Sequence, residues 1–343
     1  MMVDTLKWII QDDEDYNSQA INQAAALLKQ GQTVAFPTET VYGLGADATN
    51  SAAVLKIFEA KGRPQDNPLI AHVATLEQLT KLVDNIQPYV KKLIDTFSPG
   101  PITYVLPSNG VCAENVTAGL STIGVRIPDH PVAQALLRNC DIPIAAPSAN
   151  ISGKPSPTTA YHVFEDLQGK IAGILDGGAT GVGVESTVID CTEAIPTILR
   201  PGGITVEQLQ SVVGDINVDP ALVSATERPK APGMKYRHYS PEVPLWLVQG
   251  TSLEIQQVID KEQANGVKIA VLASASTAKQ LRAEEIFSLG DNMNEIAAHL
   301  YDALRKYKSS DVDLIVCEAF SEVGIGQAVM NRLKKAASKY MEN

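Results

Sequence analysis

Apolar and polar positions change period repeatedly over the first two hundred residues. Residues 17–31 carry Asn17, Ile21, Ala24, Ala25 and Leu28 at helical spacing and stop at Gly31, which predicts a helix. A buried strand at 33–36 follows. Further short apolar runs at 69–73, 103–106, 123–127, 143–146, 173–175, 186–189 and 197–199 read as strands, and residues 52–60, 88–97, 131–137 and 158–167 as helices. The alternation is irregular, so the expected structure is a twisted mixed sheet with helices packed on it.

From about 217 to 241 the periodicity fails in a stretch rich in Pro, charge and Tyr, which reads as an interdomain linker. Beyond it the pattern is regular: strands at 245–248, 268–272, 286–289 and 314–318 alternate with helices at 253–263, 278–282, 294–306 and 327–338. Such alternation predicts a smaller Rossmann-like parallel α/β domain. The expected division is therefore a domain at 1–216, a linker at 217–241 and a second domain at 242–343. The turn after the first strand of the second domain, Gln249-Gly-Thr-Ser252, lacks the Gly-x-Gly-x-x-Gly pattern, which disfavours a dinucleotide role there.

A length of 343 residues suits two cores better than one. No apolar run reaches membrane-spanning length, and the N-terminus lacks the basic start and apolar middle of a signal peptide, so a cytoplasmic protein is expected. Cys112, Cys140, Cys191 and Cys317 lie far apart, with no Cys-x-x-Cys pair, which argues against zinc or a disulfide framework. A net charge of −11 argues against coating nucleic acid, which rests on Lys and Arg neutralising phosphates, but leaves room for a local basic cleft.

Candidate chemistry concentrates in five loops at strand ends. Residues 36–45 open from a strand into hydroxyls and glycines, where backbone amides can face a ligand. Lys61-Gly-Arg-Pro64 offers a point charge and a planar fork to a polyphosphate, with Asn67 and His72 following; a solvated turn and a satisfied strand histidine are the plain alternatives. Arg126, inside a buried-looking strand, needs a partner; a substrate carboxylate and an internal Asp or Glu serve equally well on spacing alone. The small and hydroxyl residues at 145–157 and the Gly-rich stretches at 177–187 and 200–203 complete the set. No Gly-x-x-x-x-Gly-Lys-Ser/Thr loop is present, so any nucleotide is held by other means.

At these residues the chain resembles the Sua5/YrdC family of threonylcarbamoyl-AMP synthases. The likeness rests on Pro37-Thr-Glu-Thr-Val-Tyr-Gly-Leu-Gly45, Lys61-Gly-Arg-Pro64, Asn67-Pro-Leu69, Ser98-Pro-Gly-Pro101, Ser148-Ala-Asn150 and Arg200-Pro-Gly202. Residues 232–241 and the domain after them look like the long Sua5 form. The resemblance implies a YrdC-like N-terminal domain and a nucleotidyltransferase that turns L-threonine, bicarbonate or CO2, and ATP with Mg²⁺ into threonylcarbamoyl-AMP and pyrophosphate. That product would pass to a downstream threonylcarbamoyl transferase for tRNA N6-threonylcarbamoyladenosine, with tRNA contact indirect or weak, no membrane partner and no protein-bound metal. Carried over by motif, Thr40, His72, Arg126, Ala146 and Ser186 would hold threonine. Lys61, Arg63, Asn67, Thr122, Ser148, Ser156, Arg200 and Tyr236 would hold ATP, with Lys61 and Arg63 as the catalytic cations and Tyr236 reaching back from the linker as part of a lid.

Three rival readings remain at this point. A non-catalytic RNA-binding protein would use Lys61, Arg63, Arg126, Lys154 and Arg200 on a concave face. A carbamoyl-transferring maturation enzyme shares a similar domain, but its zinc-finger module needs more cysteines than this chain has. A regulatory role for the second domain stays open.

Overall fold

The computed structural model describes residues 3–11, 13–220, 239–308 and 310–342. The chain divides into two compact units: Met1–Ser152 with Ser156–Gly181 and Glu185–Tyr236, and Gly153–Pro155 with Val182–Val184 and Arg237–Asn343.

The first unit runs β1 (Leu6–Ile9), α1 (Glu14–Lys29), β2 (Val34–Phe36), β3 (Gly43–Asp47), α2 (Ser51–Lys61), β4 (Ile70–His72), α3 (Leu76–Thr80) and α4 (Pro88–Phe97). It continues through β5 (Ile102–Pro107), α5 (Glu114–Thr117), β6 (Thr122–Arg126), α6 (Pro131–Cys140), β7 (Ile144–Ala145) and α7 (Ala160–Leu167). It ends with β8 (Gly173–Asp176), β9 (Thr187–Asp190), β10 (Thr197–Arg200), α8 (Val206–Val213) and β11 (Asn217–Val218). The strands form one mixed sheet in the order β1-β8-β2-β3-β7-β4-β6-β5-β9-β10-β11. Alternate residues of each strand serve opposite faces. Val34 and Phe36 join α1 and α6 in one core with Leu28, Leu136 and Leu137, whereas Ala35 and Leu44 join the core under α2, α4 and α7 with Ile57, Leu93 and Val163.

Local signals place the site-bearing helix ends. Asn50 caps α2 by accepting from the Ala52 and Ala53 amides. That helix stops where Gly62 takes φ 61°, a left-handed conformation glycine adopts without Cβ strain, and this turn separates Lys61 from Arg63.

The second unit runs β12 (Leu245–Val248), α9 (Ser252–Ala264), β13 (Ile269–Ala273), α10 (Ala275–Ala278), β14 (Glu285–Ser288), α11 (Met293–Lys306), β15 (Leu314–Glu318), α12 (Gly326–Ala336) and β16 (Lys339–Met341). Its five strands are all parallel, in the order β14-β13-β15-β12-β16. Thr251 and Glu254 form a reciprocal capping box at the start of α9.

The pattern-based expectation missed α3, α5, α8 and β16, and it differs from the structure in the following places. Residues 43–45, read as the end of an open loop, belong to β3, antiparallel to β2. Gly45 belongs there because a Cβ would lie 2.8 Å from Ile144 Cγ2 and 2.9 Å from Phe36 Cε1, so this glycine serves close packing in place of a turn. The polar-edged β1 was not expected; it pairs with β8 at the sheet edge. Asn217 and Val218, placed in the linker, pair with β10. The helix expected at 278–282 lies earlier, at α10, because Ser274 caps it by accepting from the Thr277 amide.

Candidate functional site

The candidate residues gather at the two ends of β6. At its C-terminal end Arg126 pairs in register with His72 of β4. The Arg126 guanidinium, 4% exposed, donates from Nη2 to Glu39 Oε1 at 2.6 Å, from Nη1 to Thr40 Oγ1 at 2.9 Å and from Nε to Gly100 O at 3.4 Å. Thr40 and Thr38 hydroxyls lie 2.8 Å apart, and Thr38 donates to Val41 O at 2.7 Å. A directed chain thus runs from guanidinium through two hydroxyls to a backbone carbonyl, each bond polarising the next. Arg126 was expected to find a carboxylate, and Glu39, 87 residues away, supplies one from the protein itself. Spacing gave no pointer to it; the signal was the lone acid between Thr38 and Thr40.

His72 is buried, meets Phe36 edge-on, and has Nδ1 3.2 Å from Ile70 O. Burial, and secondly the neighbouring Arg126 charge, push its pKa down to about 3, so the ring is neutral near pH 7. Ala146 donates its amide to Ile70 O at 2.9 Å, which sets the chain leaving β7 beside β4.

Ser186 and Arg200 belong to the same end of the sheet, through β5 and β9. Arg200 donates from Nε and Nη2 to Ser186 O at 3.1 and 2.8 Å, and from Nη2 to Ser186 Oγ at 3.1 Å. The Ser186 hydroxyl also lies 2.8 Å from Thr103 Oγ1. Ser156 donates to Glu185 Oε1 at 2.6 Å. Thr103 and Glu185 are buried polar residues that motif reading left without a role.

The other end of β6 begins at Thr122, four residues from Arg126 and so about 13 Å away at the usual strand rise. Pro68 and Thr122 line one small cavity that runs along β6 past Gly124 to Thr103. Arg63 donates from Nη2 to Asn67 O at 3.3 Å and Pro68 O at 3.2 Å. The buried Asn67 Oδ1 has no hydrogen-bond partner among the described residues, a costly state that a ligand donor would relieve.

Ser148 belongs to a third group, with Lys61 and Asn150. It bridges to Gly43, and Leu44 donates to Pro147 O at 2.8 Å, which docks the 147–150 turn against β3. Ser148 Oγ donates to Asn150 Oδ1 at 2.5 Å. Lys61, 1% exposed, directs its ammonium to Ser148 O and Asn150 O, both at 2.5 Å. Its charge is therefore spent partly on shaping this turn, a task the motif reading did not assign. Tyr236, and with it the lid expected around it, lies outside the described residues.

The burial of Lys61, Arg126 and Arg200 removes the RNA-binding alternative in the form considered above. A phosphate backbone crossing a surface needs exposed cations. Here three of the five cations are enclosed and bonded to protein oxygens.

A family model described as "Telomere recombination", covering Sua5, YciO and YrdC proteins, matches residues 26–202. The chain belongs to the Sua5/YciO/YrdC family. A second model, described as the C-terminal domain of threonylcarbamoyl-AMP synthase, matches residues 204–338. The threonylcarbamoyl-AMP synthase of Bacillus subtilis is 50% identical over 97% of this chain and 98% of its own, and that of Pyrococcus abyssi 49% identical over 96% and 97%. Among solved structures, P. abyssi Sua5 complexed with L-threonine superposes with a TM-score of 0.92 at 46% identity, covering 98% of this chain and 99% of that one. Both domains of the Sua5 form are thus matched. No helix among the described residues is long and apolar enough to cross a membrane.

Proposed function

We infer that this chain is an L-threonylcarbamoyladenylate synthase, converting L-threonine, bicarbonate or CO2, and ATP to threonylcarbamoyl-AMP and pyrophosphate for tRNA N6-threonylcarbamoyladenosine formation. Homologues of that name match it over nearly its whole length. The observation in the site that carries the reading is Arg126, a buried fork at the end of β6 whose fixed contacts use three of its five N–H donors. One donor is left on each terminal nitrogen, the pattern a carboxylate accepts two-fold.

On this reading threonine lies at the C-terminal end of β6, its carboxylate on Arg126, near Thr40, His72, Ala146 and Ser186. ATP, entering as its magnesium complex, lies along Ser148, Arg63, Asn67 and Thr122. Arg200, held on Ser186, faces the junction where the two substrates meet, and Ser156 is close by through Glu185 and Ser186. The threonine amine captures CO2 as a carbamate, whose oxygen attacks the α-phosphorus as pyrophosphate departs. The step asks for positioning and charge neutralisation, with no nucleophilic side chain. Lys61 contributes by fixing the 148–150 turn and by its charge, Arg63 and Arg200 by theirs. The adenylate then passes to a downstream threonylcarbamoyl transferase.

Pyrophosphate release with ATP, bicarbonate and each amino acid in turn tests the reaction. Release should depend on threonine; turnover indifferent to the amino acid would overturn the assignment. In the same assay Arg126→Ala should raise the threonine requirement and Lys61→Ala should chiefly slow turnover.

A further inference from the structure

Glu39 sits within the candidate threonine pocket but has no place among the substrate-holding residues carried over from the family. Both of its carboxylate oxygens are engaged by one segment, the end of β6 and the residues just after it. Oε1 accepts from Arg126 Nη2 at 2.6 Å, and Oε2 accepts the Asp129 amide at 3.0 Å. Glu39 therefore ties the loop after β2 to the residues that follow β6, with the guanidinium between. The pair is well enclosed, with side chains 5% and 13% exposed.

This arrangement settles two physical problems for Arg126. A buried guanidinium without a counter-charge is costly and would turn toward any available carbonyl. Glu39 neutralises it while occupying only one N–H, and Thr40 and Gly100 fix the plane of the fork. The remaining donor on each terminal nitrogen then points in a set direction. The adjacent His72 is neutral, so it neither repels the guanidinium nor substitutes for Glu39 as its counter-charge.

We propose that Glu39 is a positioning residue for amino-acid recognition: it holds the Arg126 fork aimed and charge-balanced, so that the substrate carboxylate meets a preorganised pair of donors. The proposal rests on the reading of Arg126 as the threonine carboxylate partner. It makes the approach of substrate depend on aligned hydrogen bonds more than on net positive charge, because the Arg126–Glu39 pair is electroneutral before threonine arrives.

The test uses the full-length protein with Glu39→Ala, Glu39→Gln, Glu39→Asp, Arg126→Ala and the double variant Glu39→Ala/Arg126→Ala. Threonine-dependent and ATP-dependent pyrophosphate release are measured for each. Glu39→Ala should raise the KM for threonine about 10- to 100-fold while the KM for ATP stays within about twofold. Glu39→Asp should recover part of the loss. The double variant should be no worse toward threonine than Arg126→Ala alone, because Glu39 acts through that arginine. If Glu39→Ala fails to fold, Glu39→Gln, which keeps the shape and loses the charge, carries the same comparison. An unchanged threonine KM in the Glu39 variants alongside a raised one in Arg126→Ala overturns the proposal and leaves the Arg126 reading intact. An unchanged threonine KM in Arg126→Ala overturns that reading first. Additive losses in the double variant, or equal losses toward threonine and ATP, would also overturn the proposal, since they mark Glu39 as general scaffold.

Discussion

Acidification should destabilise the first unit through His72. The ring is buried beside Arg126, and its pKa falls from the usual 6.5 to about 3 in the folded protein. Between those values the unfolded chain binds a proton that the folded chain refuses, so folding stability falls as pH falls through this window, at about 1.4 kcal/mol per pH unit. Above pH 6.5 both states are neutral and the contribution is complete. Taking the protein from pH 7.5 to 4.5 therefore removes roughly 2 to 3 kcal/mol through this one group, two units of the window. Urea unfolding of the natural protein and of His72→Gln at both pH values isolates the effect, because glutamine does not titrate and every other group, including the whole second unit, is common to both. The loss on acidification should be larger in the natural protein by about that amount. Equal losses in the two proteins would refute a neutral, desolvated His72 and with it the electrostatic picture of the Arg126 pocket.

Two packing predictions concern the 177–178 loop and strand β3. The Tyr42 hydroxyl donates to Gly178 O at 2.7 Å and accepts the Gly177 amide at 3.2 Å, and burial holds its pKa well above that of a free phenol. Tyr42→Phe should cost about 1–2 kcal/mol in chemical unfolding and speed amide exchange at Gly177 and Gly178; unchanged exchange there would show that the hydroxyl does not hold that loop. Gly45→Ala places a methyl within 3 Å of Ile144 and Phe36, and should cost about 1–3 kcal/mol of overpacking, read as a lower Tm; an unaltered Tm would mean β3 and β7 can part without penalty.

Much of the architecture was legible from periodicity. The helix of α4 begins and ends where its apolar spacing and Pro88 predict, and the regular strand-helix alternation after residue 245 became a parallel five-stranded sheet. These features are local: a strand buried on one or both faces, or a helix with one apolar stripe, writes its period into adjacent residues. Glycine was the ambiguous letter. In Gly62 it marks a left-handed turn, but in Gly45 it marks a place where two strands and a ring crowd together, and only the neighbours across the sheet distinguish the two uses.

The site itself was legible as residue types and illegible as pairs. A buried arginine in the apolar strand β6 announces that an acid must be near, because an unpaired charge there is too costly to keep. Its identity came from the sheet order, which sets β4 beside β6 and brings the loop after β2 over the end of both. Likewise Lys61 could be read as a cation for phosphate, but its hold on Ser148 and Asn150 depends on where a distant turn docks. Sequence determined which charges and hydroxyls had to be buried. The tertiary structure alone decided which of them neutralise one another and which hydroxyls and carbonyls take up their donors, since hydrogen bonds act over about 3 Å in space and are indifferent to separation along the chain.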